Sequence, residues 1–100
     1  MKRGTTPTHT FTLPFDTSLL SVVRVTYAQM GRVVLTKTGE ELTLEGNTVT
    51  VRLSQEETFR FNSSHPVELQ VRALTADGDA INSDIVTVPV GRCLDKEVIV

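Results

Sequence analysis

The chain has no tryptophan, one tyrosine, one cysteine and two histidines. It also has no apolar run long enough to cross a bilayer as a helix. With aromatics at only 5%, a core has to be built mainly from Val, Leu and Ile. The lone cysteine, Cys93, excludes an intrachain disulfide and fits a reducing compartment. His9 and His65 lie far apart in sequence. Even with Cys93 they would give three soft ligands without the short spacing of a zinc module, so no metal and no cofactor is expected. Ten basic residues against twelve acidic ones leave a net charge of −2, which gives no electrostatic reason to expect nucleic acid or an anionic membrane as a partner. After Lys2-Arg3 comes Gly-Thr-Thr-Pro-Thr-His-Thr, not the apolar stretch of a secretory signal. The expectation is a protein made in the cytoplasm and not exported by a signal peptide. Without export, the glycosylation pattern Asn62-Ser63-Ser64 means nothing.

What is present is period-two alternation. A length of 100 residues suits a single domain, here residues 1–100 with residues 1–7 as an extended arm. In residues 9–13, Phe11 and Leu13 share one face and Thr10 and Thr12 the other, and Pro14 ends the run because it cannot donate to a ladder. Residues 21–29 set Val23, Val25 and Tyr27 inward, with Arg24, Thr26 and Gln29 toward solvent. Met30-Gly31 reads as a tight turn into residues 32–38.

The segment LTLEGNTVTVRL, residues 42–53, is the clearest unit. With Gly46-Asn47 as a two-residue turn, Glu45 faces Thr48, Leu44 faces Val49 and Leu42 faces Val51. A slip of one residue would turn one arm's apolar set outward, so the pattern specifies the register. Ser54 and Glu57 follow at capping-box spacing, which predicts one helical turn crossing between two sheets, the alternative being a polar loop. Beyond a loop at residues 62–66, Val67, Leu69, Val71 and Ala73 form a second apolar face. For the hairpin that follows, a two-residue Asp77-Gly78 turn pairs Leu69 with Val86 and Val67 with Val88 but mismatches the tip. A three-residue loop ending at Gly78 pairs Ala73 with Ile81 instead. A bulge near residues 82–84 reconciles the two, since one extra residue switches the face of everything beyond it.

Short strands separated by turns, with no long helical pattern, predict an all-β fold: an antiparallel two-sheet β-sandwich, Ig-like or jelly-roll-like, with one short helical turn. Asp77-Gly78-Asp79 belongs to the hairpin, because a calcium loop would need further oxygen ligands where Ala80 and Ile81 stand. The other carboxylates sit in turns and at the helix cap, and no nucleophile has a base beside it in a local motif. No enzyme is expected, and no catalytic residue is assigned.

Two features suit assembly: the threonine-rich arm before Thr8, and the apolar end Lys-Glu-Val-Ile-Val. Residues 8–13 carry no charge that is fixed at neutral pH. If they form an edge strand, Thr8, Thr10 and Thr12 are a candidate interface for strand addition, whereas an interior strand would remove that role.

In this order, RGTTPTHTFTLPFD, RVTYAQMGRVVLTKT, LEGNTVTVRLSQEETFRF and VELQVRALTADGDAINSDIVTV resemble small prophage-encoded proteins of Gram-positive bacteria, over nearly the whole chain. At the level of fold these are similar to the N-terminal domain of phage baseplate upper proteins. The resemblance implies a phage structural or adaptor protein of the tail or baseplate. Its partners would be other phage structural proteins or itself, and its place the host cytoplasm during assembly and the virion. It brings no catalytic or binding residues to carry over. A small ligand- or carbohydrate-binding module is the alternative.

Overall fold

A computed structural model describes all of residues 1–100. The chain forms β1 (Thr8–Thr12), β2 (Leu20–Gln29), β3 (Arg32–Thr38), β4 (Leu42–Glu45), β5 (Thr48–Arg52), α1 (Gln55–Thr58), β6 (Val67–Thr75), β7 (Ala80–Asn82) and β8 (Val86–Val88). Two 3-10 turns, Thr17–Leu19 and Gly39–Glu41, precede β2 and β4. All strand pairs are antiparallel. One sheet has the order β1-β5-β4, and the other runs β3-β2-β6 with β7 and β8 both on β6. The protein is an antiparallel two-sheet sandwich in which the single turn of α1 carries the chain from one sheet to the other.

Local chemistry explains these elements. Leu42 pairs with Val51, Leu44 with Val49 and Glu45 with Thr48, the register that the apolar alternation demands. At α1, the Ser54 N–H donates to Glu57 Oε1 at 2.9 Å and the Glu57 N–H donates to Ser54 Oγ at 3.2 Å, so each side chain satisfies the other's backbone amide. Met30 and Gly31 have φ of 51° and 74°, the two successive positive values of a type I′ turn, whose twist matches the strands it joins. Met30 is the only residue other than glycine with positive φ.

The last hairpin takes the three-residue loop and the bulge together. Ala73 pairs with Ile81 near the tip, while Leu69 pairs with Val86 and Val67 with Val88 farther down. The extra residue falls around Ser83. Its N–H donates to Val71 O at 2.8 Å, and its Oγ accepts from the Val71 N–H at 2.9 Å. The Ser83 hydroxyl thus takes the Val71 amide where the β6 ladder is interrupted.

The core joins Val23, Val25 and Tyr27 of β2, Val49 and Val51 of β5, and Val67, Leu69, Val71 and Ala73 of β6, closed by Leu53 and Phe61. One expectation is corrected. Gln29 does not face solvent but is buried, continuing the inward side of β2. Its Nε2 donates to Asn62 O and His65 O at 2.7 and 3.0 Å, and its Oε1 accepts from the Asn62 N–H at 2.8 Å. Every polar atom of the amide is used to hold the loop before β6, which removes the cost of burying it.

Residues 1–7 lie against their own chain. Lys2 bridges Gly91, Thr5 O accepts from Thr58 Oγ1 at 2.9 Å, and Pro7 O accepts from the Leu53 N–H at 3.0 Å. The Arg3 guanidinium sits 5.6 Å from the Phe59 ring centroid and donates to Phe59 O at 2.9 Å. At the other end, the Gln55 amide and the Ile99 backbone exchange two hydrogen bonds of 2.9 Å. Leu94, Ile99 and Val100 nevertheless stay exposed.

Candidate interaction edge

β1 is an edge strand, with β5 on one side and no strand on the other. The polarity of its backbone follows from two flanking bonds, Leu53 N–H to Pro7 O and Leu13 N–H to Asn47 O. These lie in the register that pairs His9 with Val51 and Phe11 with Val49. In an antiparallel ladder only alternate residues exchange bonds with a given neighbour. His9, Phe11 and Leu13 are therefore bonded toward β5, while the N–H and C=O groups of Thr8, Thr10 and Thr12 point to the open side. The side chains of these threonines are exposed, and Thr10 Oγ1 lies 3.3 Å from Thr50 Oγ1 on the outer face.

The other edges are blunted in ways that β1 is not. β3 contains an extra residue, Val34, between the pairs Tyr27–Leu35 and Ala28–Val33, and it turns Lys37 inward. β4 has only four residues, ends on Glu45 and follows Glu40-Glu41. β7 and β8 have three residues each and are split by the bulge. Bulges, shortness and charge are the usual protections of an exposed edge. β1, five residues long, has no bulge and no charged side chain, and its prolines, Pro7 and Pro14, stand just outside its ends.

Behind this edge lies a polar belt that the sequence reading did not find. His9 Nδ1 is 2.7 Å from Tyr27 Oη, and the Tyr27 ring packs on Phe61 with centroids 5.9 Å apart. Burial holds the His9 imidazole below its usual pKa, keeping it neutral near pH 7. Burial, and secondarily the charge of Glu57, push the Tyr27 hydroxyl well above the usual phenol range. Lys37, buried on β3, lies 2.6 Å from Glu57 and 3.6 Å from Glu41. A signal for this existed: Lys37 has the same parity as Leu35, the inward side of β3.

The remaining candidates stay apart. Asp77 and Asp79 flank a turn in which the Gly78 N–H donates to Thr75 O at 3.0 Å and the Asp79 N–H to Thr75 Oγ1 at 2.9 Å. Cys93 is half-buried in the segment beyond β8, and its Sγ donates to Asp95 O. No group of three or more His, Cys, Asp or Glu side chains gathers anywhere in the fold. No helix is long and apolar enough to cross a membrane. Between the end of β1 and the β7 edge a hollow of about 470 Å³ opens, lined in part by Leu13, Phe15, Val71, Ile81 and Asp84.

No family model matches the chain, and no curated protein matches it. Among solved structures, the V domain of amphioxus IgVJ-C2 is similar at 11% identity and a TM-score of 0.37, over 90% of this chain and 96% of that one. So distant a likeness carries no argument about function. It is the pairing of the eight strands that defines the two-sheet antiparallel sandwich.

Proposed function

We propose that this chain is a non-catalytic structural or adaptor module of a phage tail or baseplate, docking other phage structural proteins or a second copy of itself by strand addition at β1. The observation that supports it is the edge itself: a regular, uncharged, unbulged strand with the backbone groups of Thr8, Thr10 and Thr12 directed outward. Strand addition draws its affinity from such main-chain groups and needs no catalytic side chains. The phage setting rests on the resemblance of the four sequence segments. Assembly would take place in the host cytoplasm, with the module carried into the virion. A carbohydrate-binding role has less support, because Tyr27 and Phe61 are buried and Phe11, Phe15 and Phe59 half-buried, leaving no exposed ring as a stacking platform.

The test uses Thr10→Pro. The Thr10 N–H points away from β5, so proline removes only a free donor, and edge strands tolerate it there. A lysogen carrying the unaltered gene should yield particles containing the chain, and the Thr10→Pro lysogen particles lacking it, with the soluble variant still folded by circular dichroism. Absence of the unaltered chain from purified particles would overturn the phage assignment. Equal incorporation of the variant would overturn the role of β1.

A further inference from the structure

We infer that the occupant of the β1 edge is the β1 edge of a second copy, joined antiparallel about a two-fold axis through Thr10. This rests on the reading of β1 as the docking edge and names its partner. The outward-directed residues are Thr8, Thr10 and Thr12, symmetric about Thr10. Antiparallel pairing in this register sets Thr10 against Thr10 of the partner subunit and Thr8 against the partner's Thr12. Each of these pairs exchanges both of its N–H···O bonds. No outward donor or acceptor of the strand is left over, and the two three-stranded sheets become one continuous sheet.

The side chains fit the same register. On the inner face His9 comes opposite the partner's Phe11, and Phe11 opposite the partner's His9. These are the close, non-hydrogen-bonded pairs, in which aromatic side chains gain most. Both are only half-buried in the single chain, because the sheet stops beside them. On the outer face the threonines of the two strands form a neutral ladder, with no like charges opposed.

Charge selects the antiparallel sense. Arg52 pairs with Thr8 at the start of β1, whereas Asp16 follows the strand's end. Nothing pairs with the Asp16 carboxylate beyond the Ser18 amide that it caps, at 2.8 Å. The two-fold axis runs the end of the strand flanked by Arg52 toward the partner's end that is followed by Asp16. A parallel arrangement would set basic against basic.

The register can be read by cross-linking in a Cys93→Ser background. Opposed residues of a hydrogen-bonded pair lie about 5.5 Å apart at Cα, within disulfide reach. Thr10→Cys should therefore give a covalent dimer on mild oxidation. Thr8→Cys alone should not, because the two copies of residue 8 stand roughly 13 Å apart along the strands. A mixture of Thr8→Cys and Thr12→Cys should give a mixed dimer.

Without cross-linking, sedimentation of the full chain should show a reversible dimer that Thr10→Pro abolishes. The amides of Thr8, Thr10 and Thr12 should pass from fast to slow hydrogen exchange as concentration rises, while those of His9, Phe11 and Leu13 stay slow throughout. A monomer at every concentration, a dimer that persists in Thr10→Pro, or a Thr8→Cys homodimer would each overturn the two-fold pairing. If the chain is monomeric yet enters particles in a Thr10-dependent way, the docking reading stands and only the second copy is wrong.

Discussion

Replacing Glu57 by Gln isolates the energy of the belt that holds β3 to α1. Glu57 does two things: its Oε1 accepts the Ser54 N–H, and its carboxylate lies 2.6 Å from Lys37 Nζ. Gln keeps an oxygen for the first role and loses the charge of the second. The Lys37 side chain is 10% accessible, so its ammonium is left nearly buried and short of its closest partner. Breaking a buried pair in this way costs about 3 to 5 kcal/mol. Two facts move this protein below that range. Glu57 is 17% accessible, and Glu41 remains 3.6 Å from Lys37. We expect a loss of about 2 kcal/mol. Lys37→Met removes the ammonium and leaves the more accessible Glu57 carboxylate still accepting the Ser54 N–H, so it should cost less, about 1 kcal/mol. The double variant should recover most of the loss. Urea denaturation followed by circular dichroism measures all three. If Glu57→Gln costs no more than Lys37→Met, the ammonium is not desolvated and the reasoning fails. The same pair sets a pH dependence. Burial raises the Glu57 pKa, but the hydrogen bond and charge of Lys37 and the Ser54 N–H outweigh it and hold the group below the usual carboxylate range. A carboxylate depressed in the folded state stabilises it fully above its unfolded pKa of about 4.3. That contribution is lost as pH falls through the lower folded value. The acid loss should be smaller in Glu57→Gln.

Gly78 has φ of 92°, and beyond its chain neighbours no atom lies within 4 Å of where a Cβ would stand, so Gly78→Val tests backbone strain without a clash. It should destabilise by roughly 1 to 3 kcal/mol, and an unchanged denaturation midpoint would refute the positive φ. Arg24 and Arg72 stand directly opposite each other on the outer face of β2 and β6, and neither has a carboxylate within ion-pair distance. Arg72→Glu converts the like-charge pair to an opposite one and should stabilise by about 0.5 to 1 kcal/mol at low salt, with the gain shrinking as salt is added. Calorimetric titration of calcium into the protein should give no saturable heat at the Asp77-Gly78-Asp79 turn. A stoichiometric heat abolished by Asp79→Ala would show a site there.

Much of the architecture was legible one segment at a time. The hairpin of β4 and β5 could be read because turn chemistry and apolar alternation agree over twelve consecutive residues, 42–53. The capping box at Ser54 and Glu57 could be read because both partners lie within one turn. The bulge at Ser83 was legible only as the way to reconcile two conflicting registers, since a strand's face is set by counting residues from its turn. What lay beyond the sequence depends on which distant strands meet. Alternation in residues 9–13 describes an edge strand and an interior strand equally well, and only the docking of β5 on one side alone puts Thr8, Thr10 and Thr12 at an open edge. The opposition of Arg24 and Arg72 needs the register between strands 48 residues apart in sequence, which no local pattern carries. Lys37 and Gln29 occupy inward positions that composition alone assigns to solvent. Glu57 and the loop at residues 62–65 satisfy them there, and those partners come from elsewhere in the chain. Local patterns set each strand's faces and turns, whereas the closing of one sheet over the other decided which polar groups are buried with partners and which backbone is left unpaired at an edge.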